Sequence, residues 1–319
     1  MKAYTVTGKK DTRSGFGDGL LEAARENENI VGMCADLTGS VKFDKFMAEF
    51  PERFLQAGIA EANMVSAAAG MAIAGKVPFV GTFAAFATGR VYDQIRQSVA
   101  YSKTNVKICG SHAGITLGED GATHQIMEDI GLMKMLPNMV VINPSDYNQT
   151  KAATIAAAKY DGPVYLRFGR PVEPIFTPED EEFVIGKAIE WNEGSDVTVI
   201  ATGHLLYRAI LAVEELEKEG ISVELINIPT IKPLDSEAIL KSVAKTGAVV
   251  VAEEHLMNGG LGDSVAQLLV RNNPVPMEYV AVDDKFGKSG APMQLLAEYK
   301  LESVDVKAAV KKVLERKNK

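Results

Sequence analysis

Short runs rich in β-branched and apolar residues alternate along this chain with stretches whose apolar positions recur every three or four residues. The runs predict strands and the stretches predict amphipathic helices. In the first half, strands fall at residues 30–35, 77–82, 106–111, 139–143 and 163–168. Helices fall between them, at 20–27, 61–75, 90–102, 125–136 and 148–159. Residues 169–182 break the pattern with Pro171, Pro174, Pro178 and an acidic cluster at 179–182, and read as a linker. The alternation then resumes, with strands at 196–201, 223–228 and 248–253 and helices at 207–219, 234–245, 262–270 and 304–317. Gly220 stands where the 207–219 helix should stop. Alternation of this kind implies mainly parallel sheets with helices on both faces. The expected fold is α/β in two domains, 1–172 and 186–319, joined by a linker at 173–185.

Bulk composition narrows the function classes. The 319 residues suit about two domains. A hydrophobic content of 46% and a charged content of 24% are ordinary for a globular chain. The net charge of −8 argues against broad binding to nucleic acid or anionic membranes. No apolar run is long enough to span a bilayer, and the first twenty residues lack the apolar stretch of a secretory signal. A cytoplasmic location is expected. Cys34 and Cys109, the only 2 cysteines, sit in apolar strand-like segments and read as buried reduced thiols. No Cys/His cluster has zinc-ligand spacing, so no metal ligand is expected from this chain.

Candidate chemistry concentrates in residues 110–125, which hold two of the 4 histidines, His112 and His124. Glu119, Asp120 and several glycines lie between or beside them. The segment follows the predicted 106–111 strand, and ligands of open α/β sheets bind at the carboxyl ends of strands. Imidazoles and a carboxylate on closely approachable backbone suit a polar, proton-transferring site; the alternative is an ordinary surface loop with scattered polar residues. Glu61 opens the Ala/Met-rich helix. There it either complements the positive helix terminus or serves as a partly buried carboxylate suited to proton exchange. Phe83 and Phe86 follow a strand and are either plain core or a wall for a flat heteroaromatic ring. Arg13, Ser40 and Arg170 match phosphate chemistry and equally match a solvated surface. Gly17-Asp18-Gly19 reads as a helix-start turn with Asp18 as its cap, and residues 258–262 (Asn-Gly-Gly-Leu-Gly) as a tight loop before a helix. His204 and His255 receive no role.

Taken together, these segments resemble the carboxyl-terminal half of transketolase. The matching pieces are Gly58-Ile59-Ala60-Glu61, Thr82-Phe83-Ala84-Ala85-Phe86, His112, residues 118–125 (Gly-Glu-Asp-Gly-Ala-Thr-His-Gln) and Arg170 after Gly162-Pro163. Their joint occurrence in this order is specific, and the resemblance covers essentially the whole chain. It implies a thiamine diphosphate pyrimidine-binding domain followed by a transketolase C-terminal domain. It implies a two-carbon ketol transfer from a ketose phosphate to an aldose phosphate, as in the pentose phosphate pathway.

The resemblance also implies roles. Glu61 looks like the catalytic glutamate that hydrogen-bonds the cofactor's aminopyrimidine, with Phe83 and Phe86 around that ring. His124 and Asp120 look like substrate-hydroxyl contacts, His124 also being catalytic. Arg13, Ser40, His112 and Arg170 look like a sugar-phosphate clamp. Gly89 stands where the family usually has a third pocket aromatic. Gly17-Asp18-Gly19 lacks the Asn pair that accompanies the family's diphosphate and metal motif. The chain therefore looks like the second subunit of a split transketolase. It would share thiamine diphosphate with an N-terminal-section subunit, which would hold most of the Mg²⁺ or Ca²⁺ coordination, in a heterotetramer with homodimer contacts. The related alternatives are a deoxyxylulose-phosphate synthase, a 2-oxoacid dehydrogenase β subunit, or a non-catalytic thiamine diphosphate-binding subunit.

Overall fold

The computed structural model describes residues 4–318. Its strands in chain order are β1 (Gly8–Asp11), β2 (Ile30–Cys34), β3 (Phe54–Gln56), β4 (Val77–Phe83), β5 (Lys107–Ser111), β6 (Val140–Ile142) and β7 (Val164–Arg167). The second half adds β8 (Val172–Ile175), β9 (Ile189–Asn192), β10 (Val197–Ala201), β11 (Val223–Asn227), β12 (Thr230–Lys232), β13 (Val249–Leu256) and β14 (Met277–Val282). The first sheet runs β12-β6-β7-β5-β4-β2-β3, and all its pairings are parallel except that of β12 with β6. The second runs β14-β13-β10-β11-β9, parallel except at β9. The α/β class and its parallel sheets are as the alternation implies. Central strands β2, β5, β7, β10 and β11 are buried at every position, which is why they do not show the regular alternation of a half-exposed strand.

The two halves are not separate bodies. One apolar cluster runs from Met33 and Val80 of the first sheet through Ile130 and Met133 to Ile226 and Val251 of the second. Strand β12, from the second half, completes the edge of the first sheet. Part of the Pro-rich stretch expected as linker is strand β8, paired antiparallel with β1 so that Asp11 faces Val172. The chain between the halves is thus pinned to the N-terminal segment. Three- and four-residue strands such as β3, β8 and β12 are too short to show a period.

Two expectations need correction. Helix 125–136 is only Asp129–Lys134, because Gly121–Thr123 and the residues after it form turns. Gly17-Asp18-Gly19 does not start a helix. The helix is Thr12–Glu26, and its cap is Asp11, whose side chain accepts the Ser14 N–H at 3.1 Å. Asp18 instead pairs with Lys10 and Lys45 and accepts from Tyr147 Oη at 2.7 Å. Gly19, like Gly15 one turn earlier, packs against helix Tyr147–Lys159, whereas Gly17 packs against Lys42, where a Cβ would lie 2.6 Å from the carbonyl oxygen. A Cβ on Gly15 would lie 2.3 Å from the Tyr147 carbonyl, and one on Gly19 would lie 2.7 Å from that of Lys151. Among the described residues no helix is long and apolar enough to cross a membrane. Cys34 and Cys109 are free and buried.

The close helix pair sets a test. Gly19→Ala should lower the unfolding free energy by about 1–3 kcal/mol, the usual cost of overpacking. Gly70→Ala meets nothing within 4 Å on the exposed face of helix Glu61–Ile73 and should be neutral or gain up to about 1 kcal/mol. Urea midpoints of the two variants decide it; equal shifts would contradict the packing role.

Candidate active site

Parallel pairing brings five of the candidates to the carboxyl end of the first sheet. Phe83 ends β4, His112 follows β5 and Arg170 follows β7, while Ser40 and Glu61 come from the segments after β2 and β3. These five strands are neighbours in the order β3-β2-β4-β5-β7. Their carboxyl ends therefore converge. Arg13 joins them from the first turn of the Thr12–Glu26 helix.

Side-chain contacts then run without a break across the site. Glu61 is 4% exposed, and its Oε1 accepts Arg90 Nη1 at 2.9 Å. Its Oε2 has no hydrogen bond among the described residues. The Arg90 guanidinium lies 3.9 Å from the centroid of the Phe86 ring, a cation–π geometry. Phe86 and Phe83 stack at 6.0 Å and 15°. His124 stands edge-on to both rings, at 5.4 Å from Phe86 and 6.4 Å from Phe83. Phe83 in turn lies 3.9 Å from the His112 ring. Both phenylalanines are half-buried, so their faces form a wall of the cleft rather than core.

His112 carries the most constrained geometry. Its φ is +56°, a left-handed conformation unusual for a non-glycine residue. Arg13 Nη1 lies 3.2 Å from its Nε2. A guanidinium can only donate, so Nε2 accepts and the proton sits on Nδ1, donating to Ser111 Oγ at 2.8 Å. Burial pushes its pKa down to about 3, and the charges of Arg13, Arg170 and Lys42 push the same way. The ring is therefore a neutral hydrogen-bonding group among cations, and the cluster as a whole attracts an anion.

Arg13 is the hub of that cluster. Besides His112 it donates to the carbonyls of Ser40 at 3.1 Å and Arg170 at 3.2 Å, and it pairs with Asp11. Ser40 thus meets Arg13 through its backbone, and its side chain is exposed. Arg170 donates to the Leu117 carbonyl and to Glu119 Oε2, both at 2.6 Å. Asp120 is exposed at the start of the Gly121–Thr123 turn and makes no side-chain cap. It is the one candidate outside the run of contacts. Arg90 escaped the sequence reading because a half-exposed arginine after a strand looks like surface. Its signal was its place directly after Gly89, one short turn beyond the Phe pair.

The depressed His112 pKa sets a pH dependence. The unfolded imidazole titrates near 6.5 and the folded one near 3. Between those values the unfolded state binds more protons, so the contribution of His112 to stability rises with pH and is lost as pH falls through the window. His112→Asn keeps a residue tolerant of left-handed φ and removes the titration. The stability of the wild-type chain relative to this variant should fall between pH 6.5 and pH 5, by at most about 1.4 kcal/mol per unit. Urea unfolding at the two pH values measures it, and a constant difference would contradict the assigned environment.

The transketolase pyrimidine-binding domain matches residues 8–173, and the transketolase C-terminal domain matches residues 186–306. A Methanocaldococcus jannaschii protein named as a transketolase C-terminal section is 44% identical over 97% of both chains. A 6-deoxy-6-sulfo-D-fructose transketolase subunit of a Clostridium species is 44% identical over 96% of this chain and 95% of its own. A solved structure titled as a split gene transketolase, inactive beta4 tetramer, superposes with a TM-score of 0.90 at 44% identity. That superposition covers 97% of this chain and all of the other. The domain matches and the relatives agree: the chain belongs to the transketolase family, as its pyrimidine-binding and C-terminal part.

Proposed function

We propose that this chain is the second subunit of a two-chain, thiamine diphosphate-dependent transketolase. It would transfer a two-carbon ketol unit between sugars that carry an anionic terminus. The observation that carries the reading is the continuous run of contacts from the buried Glu61 carboxylate, through stacked aromatics, to a cationic cluster. That order fits a flat heterocycle at one end and an anion at the other. The family matches support a division into a pyrimidine-binding domain at 1–172 and a C-terminal domain at 186–319 around a linker at 173–185.

The residues suit the cofactor. Glu61 is a buried residue whose Oε1 is held by Arg90 and whose Oε2 has no hydrogen bond among the described residues, and the half-buried faces of Phe83 and Phe86 border the cleft. When bound, thiamine diphosphate supplies the nucleophilic carbon that takes up and passes on the ketol unit. In our reading Glu61 holds a proton against the aminopyrimidine nitrogen. Phe83 and Phe86 fix the ring plane and exclude water from one face. His124, edge-on to both rings, and Asp120 orient substrate hydroxyls, and His124 moves a proton there. Arg13, His112 and Arg170 fix the far, anionic end of the sugar, with the Ser40 segment held beside them through Arg13. Arg170 is already paired with Glu119. Substrate binding exchanges that partner for the incoming anion. A phosphate terminus fits this cluster. So does a sulfonate, as the name of the Clostridium relative suggests for that protein.

A second chain would complete the cofactor site. The relative solved as a tetramer of β chains alone is titled inactive, which supports this need. The decisive experiment combines the purified chain with an N-terminal-section subunit, thiamine diphosphate and Mg²⁺ and assays ketol transfer. We expect activity only in the mixture, as a heterotetramer, and full transfer by this chain alone would refute the proposal. In that complex, Glu61→Ala should abolish turnover while both chains still assemble; an unchanged rate would remove Glu61 from catalysis. Arg170→Ala should raise KM for phosphorylated ketoses by roughly 10–100-fold, the ~1.5–3 kcal/mol of a charge-assisted contact. An equal effect on unphosphorylated ketoses would show that Arg170 does not hold the anion.

A further inference from the structure

The loop that carries Asp120 and His124 is gripped from behind by the second domain. Glu254 lies on β13 and is 2% exposed. Its Oε1 accepts the Thr116 backbone N–H at 2.7 Å. Its Oε2 meets His204 Nε2 at 2.7 Å, with Arg167 Nη1 3.9 Å away. Gly114 makes room for this carboxylate. Its φ is +83°, and a Cβ there would lie 2.2 Å from the Glu254 carboxyl carbon. Both the backbone angle and the approach exclude a larger residue.

A second grip lies farther along the loop. Gln125 Nε2 donates to the carbonyls of Ile115 at 3.0 Å, Gly118 at 3.3 Å and Lys288 at 3.0 Å, the last from the second domain. Gly121 abuts the same segment, since a Cβ on it would lie 2.5 Å from Ser289 Oγ. On the opposite side, the loop's Leu117 carbonyl accepts from Arg170. A shift at Thr116 therefore moves the anchor of Arg170 and the turn that begins at Asp120.

We infer that Glu254 is a positioning residue for the substrate loop, and that the second domain serves this subunit by fixing residues 112–125 in the conformation that receives the sugar. The inference rests on the transketolase reading of that loop. Glu254 touches neither wall of the cleft, so it acts through Thr116 and Gly114. Its neighbour Glu253 is also fully buried but does other work. Its carboxylate accepts the N–H groups of Leu261 at 2.7 Å and Gly262 at 2.8 Å, capping helix Leu261–Asn272. Glu253 thus provides a control of equal burial on the same strand.

The test uses the reconstituted two-chain complex with thiamine diphosphate and Mg²⁺, carrying Glu254→Gln or Glu253→Gln. Four quantities are read: KM and kcat for a ketose phosphate, the cofactor dissociation constant from fluorescence quenching, and amide hydrogen exchange across residues 112–125. Glu254→Gln should raise KM by roughly 10–100-fold. It should also speed loop exchange while leaving cofactor affinity within about twofold. Glu253→Gln should lower thermal stability without either loop effect. Equal KM values in the two variants, or unchanged loop exchange in Glu254→Gln, would overturn the inference. If Glu254→Gln does not fold, exchange in the wild-type chain decides. The Thr116 amide should then exchange at least about 100-fold more slowly than that of Asp120, and comparable rates would overturn the clamp. Absence of ketol transfer in the wild-type complex would refute the transketolase reading instead. The exchange difference between the two variants would still judge the clamp.

Discussion

The parallel pairing of β3, β2, β4, β5 and β7 is the constraint on which the rest depends. Parallel strands joined by right-handed crossovers all end on the same side. Five segments that are up to about 130 residues apart in sequence thereby deliver Glu61, Ser40, Phe83, His112 and Arg170 to one edge. Each of those side chains is unremarkable alone. Their chemistry arises because backbone hydrogen bonding has fixed the register, as where Phe83 of β4 pairs with Ser111 of β5, the residue before His112. His112 then holds a left-handed conformation that the ordered strand and Arg13 together enforce.

The second constraint is electrostatic and lies between the domains. Arg167 is 2% exposed and donates to Asp129 Oδ2 at 2.7 Å and to the Glu254 carbonyl at 2.9 Å. Tyr165 shares the Asp129 oxygen at 2.6 Å. His204 stands between Glu254 and Glu173, and Arg208 grips Glu173 through both carboxylate oxygens. Burial pushes the Glu254 carboxyl up, but His204, Arg167 and the Thr116 N–H outweigh it and hold the pKa below the usual range. Buried charges of this kind add little net stability as a set, yet removing one member leaves its partner uncompensated at a cost of about 3–5 kcal/mol. The network therefore acts as a geometric lock. It fixes how the second sheet meets residues 112–125, where apolar packing alone would tolerate sliding.

Burial lowers the pKa of two basic groups, one at each end of β5. Among the cations of the anion cluster, His112 stays neutral because charging it would cost desolvation and repulsion at once. Lys107 is the other case. It is fully buried at the opposite end of β5, where burial lowers its pKa to about 7. There it donates to Asn105 Oδ1 and to the carbonyls of Tyr160 and Gly162. Its three bonds tie the amino end of β5 to the loop before β7, so both ends of that strand are held by polar groups while its middle is apolar.

Much of this protein was legible in its residues. The apolar-rich segments at β4, β5, β10 and β11 and the amphipathic helices after them gave the α/β class, because buried parallel strands and one-sided helices need those patterns. The Glu61, Phe83, His112 and 118–125 segments were visible because their residue types are uncommon together. The short strands β1, β8 and β12 were invisible, since three or four residues carry no period and their partners lie far along the chain. Gly17 and Gly19 were misplaced because a glycine that admits a neighbouring backbone, that of Lys42 or of helix Tyr147–Lys159, looks like one that makes a turn. Arg90 and Glu254 were passed over for the same reason: a charged residue's role is set by what lies across from it. The sequence determined which segments are strands or helices and which chemistry is on hand, both being local matters of periodicity and side-chain type. Only the tertiary structure decided which charges meet, which glycines are contacts, and that the second domain grips the first domain's loop. Those depend on distances between residues that the chain brings together only when its sheets have formed.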